Sequence, residues 1–152
     1  MAVLPYKDKS TSKREQVGEM FDTIAPKYDF LNHFLSAGID ILWRKKAIRL
    51  LKPFAPKYIL DIATGTGDLA IEALALKPDK VIGVDISEGM LAVGRQKMKA
   101  RGVDQIIEMR SGDSQGLPFA DNEFDAAIVS FGVRNFENLL AGLTDMQRVV
   151  RP

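Results

Sequence analysis

Two kinds of hydrophobic pattern divide the chain. From residue 57 onward, short continuous apolar runs alternate with stretches whose apolar positions recur every three or four residues. The runs at residues 57–62, 80–85, 105–110 and 124–130 are rich in aliphatic and β-branched side chains and read as strands buried on both faces. The periodic stretches predict helices over residues 67–76 and 87–100, and another from Asn138, which carries Leu139, Leu143, Met146 and Val150 on one face. Ser87 and Asn138 are placed as N-caps, and Gly102 as a terminator. Strands alternating with helices imply a parallel sheet with right-handed crossovers and helices on both faces. Before residue 57 the pattern is helical only. Ser12 and Glu15 form an S-x-x-E capping box that opens a helix over residues 13–24, which Pro26 should end. A short helix at 29–35 follows, broken by Ser36-Ala37-Gly38, and a third at 40–51 is stopped by Pro53 and Pro56. Residues 1–11 read as loosely held. Residues 1–56 therefore form a helical cap and residues 57–152 an α/β core, together one domain.

Composition narrows the chemistry. A net charge of +1 gives no bulk reason to expect a nucleic-acid partner. The absence of cysteine excludes disulfides, thiolate metal sites and Cys nucleophiles, and fits a reducing, cytoplasmic setting. A single histidine, His33, excludes a multi-His metal site within one chain. Ala2-Val3-Leu4 is too short for a secretory h-region, and no apolar run has the length of a membrane span. The helix at 40–51 mixes Leu42, Trp43, Ile48 and Leu51 with Arg44, Lys45, Lys46 and Arg49. It fits either a lid helix with a solvated basic face or a cationic helix lying on an anionic membrane.

The candidate chemistry sits where the first strand ends. Tyr58 to Asp68 runs from an apolar strand through Gly65, Thr66 and Gly67 into a helix, so that free amides of the turn point at whatever lies above the strand. Gly65 to Ala70 also satisfies the dinucleotide pattern G-x-G-x-x-A, with Asp85 at the spacing of a ribose-binding acid. Asp61 argues against a pyrophosphate, which its carboxylate would repel. A carboxylate there suits an ammonium or sulfonium charge, and S-adenosylmethionine carries both without phosphate; Asp61 can also clamp its own turn. Asp85, followed by Ile86, ends the second strand, where an acid can accept bonds from both ribose hydroxyls or compensate a helix N-terminus. Asp113 and Ser114 end the third, in reach of an adenine amino group or of an Asx-turn. Ser130 ends the fourth. Four successive strand ends thus place polar groups at the edge where open α/β sheets bind ligands.

Together these residues resemble a class I S-adenosylmethionine-dependent methyltransferase. The likeness is closer than the class. Residues 28–36 (Tyr28-Asp29-Phe30-Leu31-Asn32-His33-Phe34-Leu35-Ser36) followed by Trp43 resemble the N-terminal signature of the UbiE/MenG quinone C-methyltransferases. So do residues 61–68, Leu117-Pro118-Phe119 and Ser130-Phe131-Gly132-Val133-Arg134-Asn135. Two positions depart: Leu31 stands where the signature has Met, and Asp40 where it has His. The resemblance implies a Rossmann-like three-layer sandwich with a helical N-terminal cap. It also implies methyl transfer from S-adenosylmethionine to a prenylated, demethylated quinol, giving menaquinol or a ubiquinol precursor. The cofactor would be held by Asp61, Gly65, Thr66, Gly67, Asp85, Ile86, Asp113, Ser114 and Ser130. Arg134 would steady a phenolate or a proton-accepting water, or link strand four to its loop; Tyr28, Asp29, Asn32 and His33 belong to the cap and could face the quinol, His33 being also readable as a packed or surface histidine. Peripheral contact with the inner membrane surface would follow from a lipid-resident substrate.

Two rivals stay open: an NAD(P)-binding oxidoreductase on the same turn, and a cofactor-binding piece without turnover. Arg148-Val149-Val150-Arg151-Pro152 resembles the family's R-V-x-K-P segment, which leads into a fifth strand. Methyltransferases of this class have seven strands, and four are read here. The expectation is a part of a longer protein, lacking strands five to seven and weak in catalysis. Strand four should then be an apolar edge, either covered by another copy or an exchanged segment in a homo-oligomer or leaving the chain poorly soluble.

Overall fold

The computed structural model describes residues 11–36 and 39–152, with the backbone alone for residues 30–35. The elements are α1 (Lys13–Ser36), α2 (Ile39–Leu51), β1 (Tyr58–Ile62), α3 (Asp68–Ala73), β2 (Lys80–Asp85), α4 (Glu88–Ala100), β3 (Ile107–Ser111), β4 (Ala126–Val129) and α5 (Leu139–Val149). Short 3-10 turns at Lys52–Phe54, Leu74–Leu76 and Phe131–Asn135 complete the set.

The four strands form one parallel sheet in the order β3-β2-β1-β4. Strand alternation divides its side chains between two layers. Ile59, Val81, Ile107 and Met109 pack with Ile48 of α2, Leu69, Ala70 and Ala73 of α3, and Leu91 and Met98 of α4. Leu60, Ile62, Ile82 and Val84 face the other way, against Leu117, Phe119, Phe124, Phe136 and Val149. Both faces are covered, which is why β1 and β2 are apolar without a polar face. Each such side chain contributes about 1.5–3 kcal/mol on burial. Arg148 fastens the crossing segment beneath the second layer: it donates to the carbonyls of Leu117 and Phe119 and pairs with Asp121 and Asp145.

The caps fall where the pattern places them. Ser12 and Glu15 exchange hydrogen bonds as a capping box. Ser87 accepts from the Met90 amide, and Asn138 from the Ala141 amide. Three elements differ from expectation. α1 is one helix running through Pro26 rather than two, and the first part of the expected break at 36–38 is its last residue; Ala37 and Gly38 lie outside the described residues, as does the loosely held segment at residues 1–10. The proline forfeits one backbone bond, a cost of about 3 kcal/mol in an isolated helix, but side chains on either side of it dock onto the core, as shown below. β3 begins at Ile107 because Ile106 closes a turn onto Val103. β4 is shorter than residues 124–130. The Phe124 amide donates to Val149 and the Arg151 amide to Phe124, so Phe124 bridges to Val150 and not to β1. β4 is the last strand of the sheet, as expected, and its start is covered by the chain's own residues 149–151.

Candidate functional site

The glycine turn is built by close approach. Ala63 and Gly65 take positive φ angles of 52° and 59°, and Gly67, at 86°, opens α3. A Cβ on Gly67 would lie 2.4 Å from the terminal methyl of Met98, which could shift, so it is the left-handed backbone that favours glycine. Gly83, opposite Asp61 in register, leaves room for the Thr64 side chain: a Cβ there would meet its hydroxyl at 2.8 Å. That hydroxyl donates to Asp61 Oδ2 at 2.6 Å.

Asp85 ties two loops together. It accepts from the Gly65 amide at 2.8 Å and from the Ser87 amide at 2.9 Å. Burial pushes its pKa up, and the backbone donors partly offset this. Asp61 is fully buried, and desolvation pushes it up to about 7, with Asp85 and Asp68 adding repulsion. The main groups acting on it are Thr64, the Ala70 amide and these two carboxylates, none a cation. A buried pair of carboxylates held this way fits a cationic ligand and disfavours a pyrophosphate.

A cavity of about 290 Å³ opens at the carboxyl ends of the strands. Gly65, Asp85, Ile86, Asp113 and Ser114 form its floor, Arg14, Phe21 and Tyr28 of α1 its roof, and Phe131, Gly132 and Arg134 one side. An adjoining hollow shares Tyr28, Gly65 and Gly132 and adds Asp61, Thr66, Asp68, Arg44 and Ser130. Burial raises the Tyr28 hydroxyl's pKa, and Asp85, Asp29 and Asp68 push the same way. Asp113 accepts from the Gln115 amide as in an Asx-turn and pairs with Arg14 at 3.3 Å. The Arg134 guanidinium lies 5.1 Å from the centre of the Phe131 ring, and its Nε donates to the Phe131 carbonyl.

The strand-end residues singled out from sequence therefore meet around one space. Gly67 shapes the turn but lines neither hollow. Asp29 lines neither, because its carboxylate turns away to Thr66 and Lys97. The side chains of His33 and Asn32 lie outside the described residues. Asp40, the departure from the family signature, is buried against Arg44 at 2.8 Å and accepts from Ser36. Arg14 and Phe21 were missed: the capping box marks where α1 begins, but which of its faces turns toward the cavity is set by packing. Among the described residues no cluster suits a metal ion, and no helix is long and apolar enough to cross a membrane.

This is the architecture of a Rossmann-like methyltransferase sandwich. It matches a putative S-adenosyl-L-methionine-dependent methyltransferase from Methanococcus maripaludis with TM-score 0.66 at 21% identity, over 96% of this chain and 63% of that one. A putative methyltransferase from Bacillus halodurans matches at 31% identity and TM-score 0.57, over 62% of this chain and 40% of that one. The chain belongs to the ubiE/COQ5 methyltransferase family, whose profile matches residues 9–152. It is 55% identical over 150 residues to a demethylmenaquinone methyltransferase of Bacteroides fragilis, covering 98% of this chain and 61% of that protein. It is 46% identical to a ubiquinone/menaquinone biosynthesis C-methyltransferase of Geotalea daltonii, covering 95% of this chain and 62% of that one. The chain thus spans about three-fifths of the length of these curated relatives.

Proposed function

We propose that the protein takes part in the C-methylation of a demethylated, prenylated quinol, with demethylmenaquinol as the favoured acceptor, using S-adenosylmethionine. The observation that carries this reading is the buried pair Asp61 and Asp85 on either side of the glycine turn, Asp85 lining the cavity with Asp113 and Arg134 and Asp61 the hollow that adjoins it. Family membership and the similarity to named quinone methyltransferases support it. Asp61 would hold the cationic end of the cofactor, Asp85 its ribose, and Asp113 with Ser114 its adenine. When bound, S-adenosylmethionine supplies a methyl group already activated by its sulfonium.

The protein's part is then alignment and electrostatics. A quinol ring carbon becomes nucleophilic as a neighbouring hydroxyl loses its proton. The Arg134 guanidinium serves as the cation that steadies the phenolate or the water that takes the proton. Its contact with Phe131 holds it at the rim of the cavity, and the rings of Phe21, Tyr28 and Phe131 keep water out of the reacting space. The outward face of α2, where Leu42, Trp43 and Leu50 are exposed beside Lys45, Lys46 and Arg49, suits peripheral contact with an anionic bilayer that holds such a quinol.

Calorimetric titration with S-adenosylhomocysteine and with NADH tests the cofactor; tight NADH binding alone would overturn the reading. A methyl-transfer assay compares demethylmenaquinol with the demethylated ubiquinol precursor. Arg134→Ala should keep S-adenosylhomocysteine binding and lose about 100- to 1000-fold in methyl transfer. An Arg134→Ala protein with the wild-type rate would remove Arg134 from the chemistry.

A further inference from the structure

Two carboxylates of α1 reach the core, and each contact ends on a loop of the proposed cofactor site. Asp22 and Asp29 lie seven residues apart, two turns, and so share one face of the helix about 10 Å from each other. Asp22 accepts from the Ser87 hydroxyl at 2.6 Å and from the Gly89 amide at 2.9 Å. Ser87 in turn donates its amide to Asp85, the residue that also holds Gly65. The fit is close: a Cβ on Gly89 would lie 3.1 Å from the Asp22 backbone. Asp29 accepts from the Thr66 hydroxyl, in the middle of the glycine turn, and from Lys97. Lys97 also donates to Thr66 at 2.9 Å and pairs with Asp68, the first residue of α3, at 2.8 Å. Its side chain is 16% exposed, so this charge is committed to the cluster and poorly screened.

We propose that Asp22 and Asp29 are positioning residues that couple the seating of the cap helix to the shape of the two loops that meet the cofactor, with Lys97 as the shared counter-ion at the second contact. Neither carboxylate lines the cavity. Both act through other groups, Asp22 through Ser87 on Asp85 and Asp29 through Thr66 on the turn. Seating α1 therefore draws both loops into place, and a ligand that orders the loops favours the seated helix by the same free energy. This rests on reading the cavity as the cofactor site, but the loop–helix coupling is measurable without any ligand.

The test uses the full 152-residue chain. Amide hydrogen exchange is compared between wild type, Asp29→Asn and Lys97→Met without ligand, and S-adenosylhomocysteine affinity is then measured by calorimetry. Asp29→Asn keeps shape and one acceptor while removing the charge. The expected result is exchange about tenfold faster at residues 65–68 and in α1, with β2 amides unchanged, and affinity about tenfold weaker. The Asp29→Asn, Lys97→Met double variant should bind no more weakly than the worse single variant, because both remove one contact. A role confined to general stability would instead speed exchange uniformly, β2 included, and overturn the proposal. So would wild-type exchange at residues 65–68 in folded Asp29→Asn, or a loosened turn with unchanged affinity. If wild type itself fails to bind S-adenosylhomocysteine, the cofactor reading falls, while the exchange comparison still decides the coupling. Should Asp29→Asn not fold, Lys97→Met alone carries both measurements.

Discussion

The core and the cap are held by different forces. Around β1 and β2 the contacts are apolar on both sides: Ile59, Leu60, Val81 and Val84 are fully buried, and parallel ladders tie the strands. Among the described side chains, α1 buries Val17 and Ala25 with Gln16 beside them, and α2 buries Ile48 and Asp40. To these the cap adds polar contacts: Asp22 on α4, Asp29 on Thr66 and Lys97, Arg44 between Asp40 and Asp68. Apolar burial is non-directional and indifferent to salt. Ion pairs and short hydrogen bonds specify one seating and weaken when a partner is neutralised. The sheet layers thus rest on apolar burial, while the described contacts of α1 and α2 include several that depend on charge. The cavity lies at the junction, floored by one and roofed by the other.

The comparison can be broken first in the core. Leu60→Ala should cost about 2–5 kcal/mol of global stability, with urea unfolding of cap and core moving together. A loss under 1 kcal/mol would mean that the β1 layer is not where stability resides. In the cap, Arg44→Met leaves the buried Asp40 without its cation and should cost about 3 kcal/mol. Trp43, the single tryptophan, sits on α2 beside it and reports the cap by fluorescence, while far-UV circular dichroism reports the whole chain. The fluorescence transition should move below the dichroism transition; coincident transitions would show that cap and core melt as one unit.

At the junction, Asp85→Ala should weaken S-adenosylhomocysteine binding by about 1.5–3 kcal/mol without unfolding the chain, and equal affinity in the folded variant would remove Asp85 from ribose recognition. The smallest effect concerns protons. Asp61, pushed up to about 7 by burial, is largely neutral at pH 6 and ionised at pH 8. A cation bound beside it favours the ionised form, so binding at pH 6 should release a fraction of a proton and at pH 8 almost none. Affinity should rise with pH toward 7 by at most about 1.4 kcal/mol per pH unit, then level off. Titration in two buffers of different ionisation heat measures this, and Asp61→Asn should abolish it.

Much of this was legible along the chain. The parallel sheet follows from alternating strands and helices, and Ser87, Asn138 and the Ser12–Glu15 box mark their helix starts because capping is a contact within four residues. Asp61, Gly65 and Asp85 were readable because each sits at the end of an apolar run or beside a turn that needs glycine. Pro26 misled because a rule about local backbone preference gave no weight to the docking on either side of it. The start of the run at 124–130 misled for the same kind of reason: apolar character says that a segment is buried, not which neighbour takes its amides.

By itself, then, the sequence determined the periodic elements, their caps, the glycine turn and the carboxylates at the strand ends, since these depend on spacings of a few residues and on backbone preferences. The tertiary structure alone decided what meets across long separations. Asp29 and Thr66 are 37 residues apart, and Asp22 and Ser87 are 65 apart. Whether Asp29 faces the cavity or the turn depends on the rotation of α1 over the sheet. That rotation is set by the summed packing of the helix against α4 and the glycine turn, and no local pattern encodes it.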